Sequence, residues 1–356
     1  MGRKPIRILN SSIKEEFNNK IILVTGAAGS IGSEIVKQVL KYNPAKVVLL
    51  DQSESGIYDL NQELLSQNKK YNFEIVIGDV SRKERMENLF KNFKPNIVFH
   101  AAAYKHVPLM EVNPSEAVRV NIEGTKILAD LSNKTNVEKF IFISTDKAVN
   151  PTNVMGASKR ISEMYCQSVS KITDTKFITT RFGNVLGSNG SVIPLFKKQL
   201  ESGGPITVTH KNVTRYFMTI PEACSLVLEA GHMGKGGEIY VFDMGESVKI
   251  IELAKKMIQL AGLEIGKDIK IKITGLRPGE KMYEELLGND ENTIGTHHPK
   301  ILIGKVKSIE DEKIKKLIND LITLVKNQEN HKIVKVMKLI APEFISNNSE
   351  FSKLDN

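Results

Sequence analysis

Ser144-Thr145-Asp146-Lys147 places a hydroxyl, a carboxyl group and an amine in consecutive positions. The hydroxyl can hydrogen-bond a substrate oxygen, the carboxyl group can give a proton, and the amine can take one. Met155 and Lys159 follow, four residues apart and so on one face of a helix. Far upstream, Gly26-Ala-Ala28-Gly29-Ser30-Ile31-Gly32 has the glycine spacing of a turn that receives a dinucleotide. An acid and a base beside a nicotinamide point to elimination coupled to transient oxidation, not to simple alcohol oxidation.

These groups need a scaffold that brings loop ends together. Short apolar, β-branched runs over 21–25, 46–51, 73–78, 97–101, 140–145 and 176–182 read as strands. Helix-period segments over 30–42, 56–67, 81–92, 114–134 and 156–169 alternate with them. The alternation predicts an α/β fold, a doubly wound parallel sheet covered on both faces. Residues 1–19 read as a polar, basic lead-in. The dinucleotide-binding domain is expected over 20–186 plus about 238–262, where a strand and a helix return to it. A smaller C-terminal α/β substrate domain is expected over 187–237 plus about 263–345. Its expected parts are lid strands at 269–274 and 300–306 and a helix at 309–327. Residues 346–356 read as a loose tail.

The glycines follow a strand and open a helix, the context that gives their spacing meaning. Gly26 allows the tight turn, Gly29 a close approach of the pyrophosphate, and Gly32 close packing of helix on strand. Ala28, Ser30 and Ile31 complete the turn and helix start, whose amides meet the phosphates. Asp51 ends the second strand, where a carboxylate binds the adenosine ribose hydroxyls. It would repel a 2′-phosphate, so NAD is favoured over NADP. Asp79 and Val80 suit an adenine edge, and Ala101, Ala102 and Ala103 leave room for the cofactor to lie close.

The chain has 356 residues, 41% hydrophobic and 26% charged, with a net charge of +9. That is an ordinary globular composition. The charge reads as a lysine-rich surface with modest attraction for anionic cofactor and substrate. Without Trp or a basic-aromatic platform, nucleic-acid binding is poorly supported. No apolar run reaches the roughly 20 residues of a membrane span. Two cysteines without metal spacing suit a reducing cytoplasm. His297-His298 lacks a third ligand at useful spacing, so no metal site is expected.

Several segments together resemble the extended short-chain dehydrogenases of polysaccharide biosynthesis, specifically the UDP-N-acetylglucosamine 4,6-dehydratases. They are the glycine turn, Gly78-Asp79-Val80, His100-Ala-Ala-Ala103, Tyr104-Lys-His-Val-Pro-Leu-Met-Glu111 and Ser144-Thr-Asp-Lys-Ala148. Arg181-Phe-Gly-Asn184, Thr214-Arg215-Tyr216 and Leu276-Arg277-Pro-Gly-Glu280-Lys281 extend the match to about Pro342. Met155 stands where the soluble, configuration-inverting branch carries Tyr, and so resembles the retaining branch. Longer members of that branch carry N-terminal membrane helices, and Gly2-Arg-Lys-Pro5 resembles the linker after them. A catalytic portion of a longer, membrane-anchored protein is therefore an expectation, as is a homo-oligomer.

The resemblance implies a redox-neutral cycle. Hydride leaves C4 of the sugar for NAD, water is lost across C5 and C6, and hydride returns to C6. Asp146 is then the acid at the C6 hydroxyl and Lys147 the base at C5. Asp146 must hold a proton and Lys147 must be neutral; burial pushes both that way, and cationic Lys159 and NAD would lower Lys147 further. Ionised together, the two would instead form a structural salt bridge. Thr145 bonds the C4 oxygen, Lys159 holds the nicotinamide ribose, and Met155 is a space-filling wall. The group that deprotonates the C4 hydroxyl stays open between Thr145 through a water, Asp146 and Tyr104. On the substrate side, Lys105 and His106 lie near the sugar, Asn184 bonds the phosphates, Arg215 and Arg277 clamp the pyrophosphate, and Glu280 binds the uridine ribose. Competing readings are an inverting dehydratase, a 4-epimerase of UDP-sugars, and a dinucleotide-sensing protein without catalysis.

Overall fold

The computed structural model describes residues 11–67, 69–288, 292–305 and 311–355. Six strands carry the site: β1 (Ile21–Thr25), β2 (Lys46–Asp51), β3 (Phe73–Ile77), β4 (Ile97–His100), β5 (Lys139–Ile143) and β6 (Lys176–Arg181). They lie parallel in the order β3-β2-β1-β4-β5-β6. Strand Ile239–Phe242 continues the sheet in parallel beside β6. Ile301–Lys305 and Asn292–Gly295 add two antiparallel strands to make nine. The chain reverses direction of travel between β1 and β4, which opens a crevice at the strand ends. Register brings Thr25 level with Leu50 on one side and His100 on the other.

Both faces of the sheet are covered, which is why β1, β2, β4 and β5 are apolar almost throughout. Helices Ser30–Leu40 and Ile220–Met233 pack on one face, with Ile35, Val39, Leu226 and Val227 in the core. Gly124–Lys134 and Val154–Ser170 cover the other. Helices Asp311–Val325 and Asn330–Ile340 add Ile314, Ile318, Val334 and Met337 to that second core. A separate small core joins Phe196, Ile206, Val208, Phe217, Leu253 and Ile258.

The structure departs from the sequence expectations in four places. Helix Ile250–Leu260 buries its apolar stripe in the small core instead of returning to the large sheet. Strand Ile301–Lys305, expected in the lid, pairs with Ile239–Phe242. A short apolar strand does not reveal its partner, so the sequence could not choose between them. The expected tail at 346–356 is anchored: Glu350–Leu354 forms a 3-10 helix and Phe351 is 1% exposed. The helix expected over 114–134 is interrupted by a π-helical stretch, Val118–Glu123. Asn121 sits in that stretch, donating to the Tyr104 carbonyl and the Ser158 hydroxyl. Lid strand Ile271–Ile273 does form, paired with Ile206–Val208. Residues 1–10 of the lead-in, the first two positions of the helix expected at 309–327, and Asn356 lie outside the described residues.

No helix among the described residues is long and apolar enough to cross a membrane. None of their His, Cys, Asp and Glu side chains cluster as a metal site.

Candidate active site

The dinucleotide turn is made of backbone. Gly26 has a φ of +67°, and a Cβ there would lie 2.6 Å from the Ala102 nitrogen. A Cβ on Gly32 would lie 2.0 Å from the Gly26 carbonyl oxygen. Helix Ser30–Leu40 starts at Gly29 with no side-chain cap, so its first amides face the crevice unclaimed by a side chain. Asp51 closes the turn from β2, accepting from the Ala28 and Ser53 amides at 2.9 and 2.8 Å. The Asp79 carboxylate accepts from Ser81 and, at 2.6 Å, from Arg119. Burial opposes its ionisation, but these partners outweigh burial and hold its pKa below the ordinary value. Val80 is buried against Gly124, where a Cβ would come within 2.7 Å of Val80 Cγ2.

One cleft of about 660 Å³ runs from this turn to Glu280, passing Lys105, Thr145, Lys147, Met155 and Lys159. Gly26, Gly29, Ser30, Ile31, Gly32, Ala101 and Ala103 open onto it, whereas Ala28, Asp51, Asp79, Val80 and Ala102 stand outside its lining. Asp146 is fully buried just behind Thr145 and Lys147.

The Thr145–Ala148 turn is locked by its neighbours. Thr145 caps a 3-10 turn, Asp146–Ala148, that follows β5. Helix Val154–Ser170 begins so close that a Cβ on Gly156 would lie 2.2 Å from the Lys147 carbonyl oxygen. Asn153 caps that helix through the Gly156 amide and donates to the Gly279 carbonyl. The Thr145 hydroxyl donates to Asp146 Oδ1 at 2.9 Å, and Lys147 Nζ donates to the same oxygen at 2.9 Å. Asp146 Oδ2 is buried without a hydrogen-bond partner among the described residues. Lys147 Nζ also reaches Asn184 Oδ1 at 3.1 Å and Glu284 Oε1 at 3.3 Å.

Burial raises the Asp146 pKa, and the neighbouring Glu284 carboxylate adds to this against the pull of Lys147. The expectation of a neutral Lys147 is corrected. Burial does push its amine down, but the Asp146 and Glu284 carboxylates outweigh burial and hold the pKa above the ordinary lysine value. Lys147 is therefore a paired ammonium in this state. Lys159 behaves as burial dictates: its pKa falls to about 7, with Nζ 3.9 Å from the centre of the Phe142 ring. His100 beneath it is neutral, its pKa lowered by burial and by Lys159, and its ring nitrogens pair with Thr25 and Thr125. Met155 is 3% exposed and belongs to the core as well as the cleft wall.

The Tyr104 hydroxyl oxygen accepts from Gln52 Nε2 at 3.5 Å, beyond the end of β2. Tyr104 also lines the cleft, as Thr145 does, and the Thr145 hydroxyl contacts Asp146.

On the substrate side, Glu280 is heavily engaged. It accepts from Thr209, Arg215 and Arg277, the last through both its amide and its side chain. Arg277 is 57% exposed and Arg215 only 9% at the side chain. Lys105 and His106 sit at the rim, their pKa values lowered chiefly by burial. Glu284 was absent from the sequence expectations. It is 3% exposed at the side chain and contacts Lys147 and Arg215. Its only sequence signal was its place just past the Arg277-Pro-Gly-Glu280-Lys281 match, and no spacing ties it to residue 147. Asn121 was missed because helix periodicity does not reveal a π-turn.

A crossover sheet, a glycine turn and a lysine-bearing helix beside a Thr-Asp-Lys turn define an extended short-chain dehydrogenase/reductase. Residues 22–307 match the family described as "Polysaccharide biosynthesis protein", and the chain belongs to it. It is 52% identical over 94% of its length to the capsular polysaccharide biosynthesis protein CapD of Staphylococcus aureus, of which it covers 56%. The chain thus spans little more than half of that relative. It is 35% identical over 78% of its length to an inverting UDP-N-acetylglucosamine 4,6-dehydratase of Campylobacter jejuni, covering 80% of it. The X-ray structure of Pen from Bacillus thuringiensis superposes with a TM-score of 0.75 at 35% identity, covering 85% of this chain and 99% of that one.

Proposed function

We propose that this chain is an NAD-dependent lyase that dehydrates UDP-N-acetylglucosamine to a 4-keto-6-deoxy sugar with retention at C5. The observation that carries the reading is Lys147, on the cleft that also holds the glycine turn and Lys159, paired at 2.9 Å with Asp146 buried just behind it. An epimerase needs no such acid–base pair.

The residues present fit NAD. The uncapped helix start receives a diphosphate, the glycines leave no room for a Cβ, and Asp51 offers a carboxylate to ribose hydroxyls and disfavours a 2′-phosphate. Bound NAD would supply the hydride acceptor for C4 and the donor for C6. Lys159 serves the nicotinamide ribose. Thr145, linked to Asp146, holds the C4 oxygen and passes its proton on. Asp146 protonates the departing C6 hydroxyl. Lys147, once neutral, takes the C5 proton and gives it back. Arg215, Arg277 and Asn184 serve the diphosphate, Glu280 the uridine ribose, and Lys105 and His106 the sugar. Met155 fills the wall where a phenol would otherwise act.

Incubation with UDP-N-acetylglucosamine in deuterated water, followed by NMR, tests the reading. The expected product is a 4-keto-6-deoxy sugar carrying deuterium at C5, in the starting configuration, with no net consumption of NAD. An inverted C5 would replace retention by inversion. Stoichiometric NADH, or a C4 epimer without loss of water, would overturn the dehydratase.

A further inference from the structure

Lys147 is an ammonium held between two carboxylates, yet the proposed reaction needs it as an amine. Glu284 is the one of the two that has no other part in the chemistry. It comes from the segment after Glu280, far from the catalytic turn in sequence, and is buried. Its Oε1 lies 3.3 Å from Lys147 Nζ and 3.6 Å from Arg215 Nε. Its Oε2 is buried with no hydrogen-bond partner among the described residues. An unpaired buried carboxylate oxygen costs stability unless something uses it. A proton on the carboxyl group would remove the buried charge and turn an acceptor into a donor.

We propose that Glu284 is the proton acceptor that converts Lys147 from ammonium to amine, and that Arg215 couples this transfer to diphosphate binding. The inference rests on the dehydratase reading above. The groups facing the pair are Asp146 on one side and Arg215 and Lys281 on the other. While Arg215 stays on Glu284, the carboxylate is a poor base. Arg215 also bonds Glu280 Oε1 at 3.2 Å, so it already bridges the two acids on the side where the nucleotide is held. An anionic diphosphate competes for that guanidinium. Drawing it off Glu284 removes a cation from the carboxylate and raises its proton affinity. One N–H bond of Lys147 then breaks and one O–H bond forms on Glu284. Both charges vanish together, and no electrons change hands. The amine so formed takes the C5 proton. Glu284 touches Lys147 rather than the sugar, so it is a positioning residue.

The test compares the NAD-loaded wild type with Glu284→Gln and Glu284→Asp, given UDP-N-acetylglucosamine. Two steps are read separately: the NADH transient for C4 oxidation, and deuterium uptake at C5. In Glu284→Gln, C5 exchange near neutral pH is expected to fall about 10²–10⁴-fold, the scale of a lost proton-transfer partner. The NADH transient is expected to fall far less. Exchange should recover about tenfold per pH unit as solvent takes over deprotonation of Lys147, a single-proton ionisation. Glu284→Asp, with its carboxylate retained, should recover part of the exchange. Exchange in Glu284→Gln at the wild-type rate with an unchanged pH profile would overturn the proposal. Equal loss of both steps with no recovery at high pH would also overturn it, since that is the mark of a merely structural role. A wild type that forms neither NADH nor labelled sugar would overturn the dehydratase reading, and this proposal with it.

Discussion

The cofactor end and the sugar end of the cleft are built by different means. At the cofactor end the instruments are backbone: a glycine at φ +67°, another with a carbonyl where its Cβ would be, and an uncapped helix start. All lie within a few residues of one another. At the sugar end the instruments are charged side chains from distant segments. Lys147 meets Asn184 and Glu284, and Arg215 meets Glu280 and Glu284. The first kind of subsite rests on backbone geometry within a few residues. The second joins side chains from segments far apart in sequence, and its charges depend on what each binds. A fixed cradle beside an adjustable ion network suits an enzyme that keeps its cofactor and exchanges its substrate.

The sharpest break between the two ends should come from the catalytic turn. Lys147→Ala is expected to abolish C5 deuterium uptake, and Asp146→Asn to block loss of the C6 hydroxyl, each by about 10²–10⁴ in rate. NAD affinity, measured by calorimetry, should change little in either. Retention of most turnover by either variant would remove that residue from its role.

The same contrast explains what the sequence made legible. The alternation of strands and helices and the glycine turn could be read because periodicity and glycine spacing are local. Asp51 could be placed because strand ends are predictable from the apolar run that precedes them. Glu284 could not, because its meaning lies in a contact with residue 147 that nothing in the spacing encodes. The charge of Lys147 was misjudged for the same reason: burial was foreseeable, but a second carboxylate was not. Strand Ile301–Lys305 and helix Ile250–Leu260 were seen as elements, yet their partners were not, since a short apolar stripe fits either core.

The cofactor end can be broken on its own. Gly32→Ala would set a methyl group 2.0 Å from the Gly26 carbonyl oxygen, which is backbone and cannot turn aside. Overpacking of this kind costs about 1–3 kcal/mol. NAD binding should weaken correspondingly, while UDP binding is retained. Calorimetry with each nucleotide checks the separation, and equal loss of both would show that the two ends are not independent. Asp51→Asn should narrow the preference for NAD over NADP, and an unchanged ratio would free Asp51 from that role.

A smaller effect should appear in the pH dependence of stability. Folded, the Lys159 amine titrates at about 7 because it is buried; its ordinary value is 10.5. Between those values the unfolded chain holds a proton that the folded chain has lost, so stability rises with pH through that window. Lys159→Met removes the titration, and its melting temperature should climb less from pH 7 upward than the wild type's. Parallel curves would mean that Lys159 is not depressed.

The least change in rate is expected at Met155, which belongs to both regions: it is a wall of the cleft and a member of the core beneath. A thioether can neither take nor give a proton at C4, so its contribution is shape. Met155→Ala should therefore keep a substantial part of the NADH transient. It leaves a cavity at a residue only 3% exposed, so stability should drop by about 2–5 kcal/mol even while chemistry persists. Denaturant melts and single-turnover oxidation must be measured on the same preparation, because a partly unfolded sample would mimic a catalytic defect. Lys159→Ala provides the contrast one helical turn away: it should weaken NAD binding and oxidation together. A folded Met155→Ala protein with no oxidation would show that the methionine positions the C4 hydroxyl. The boundary between the fixed cofactor end and the adjustable sugar end would then run through Met155 itself.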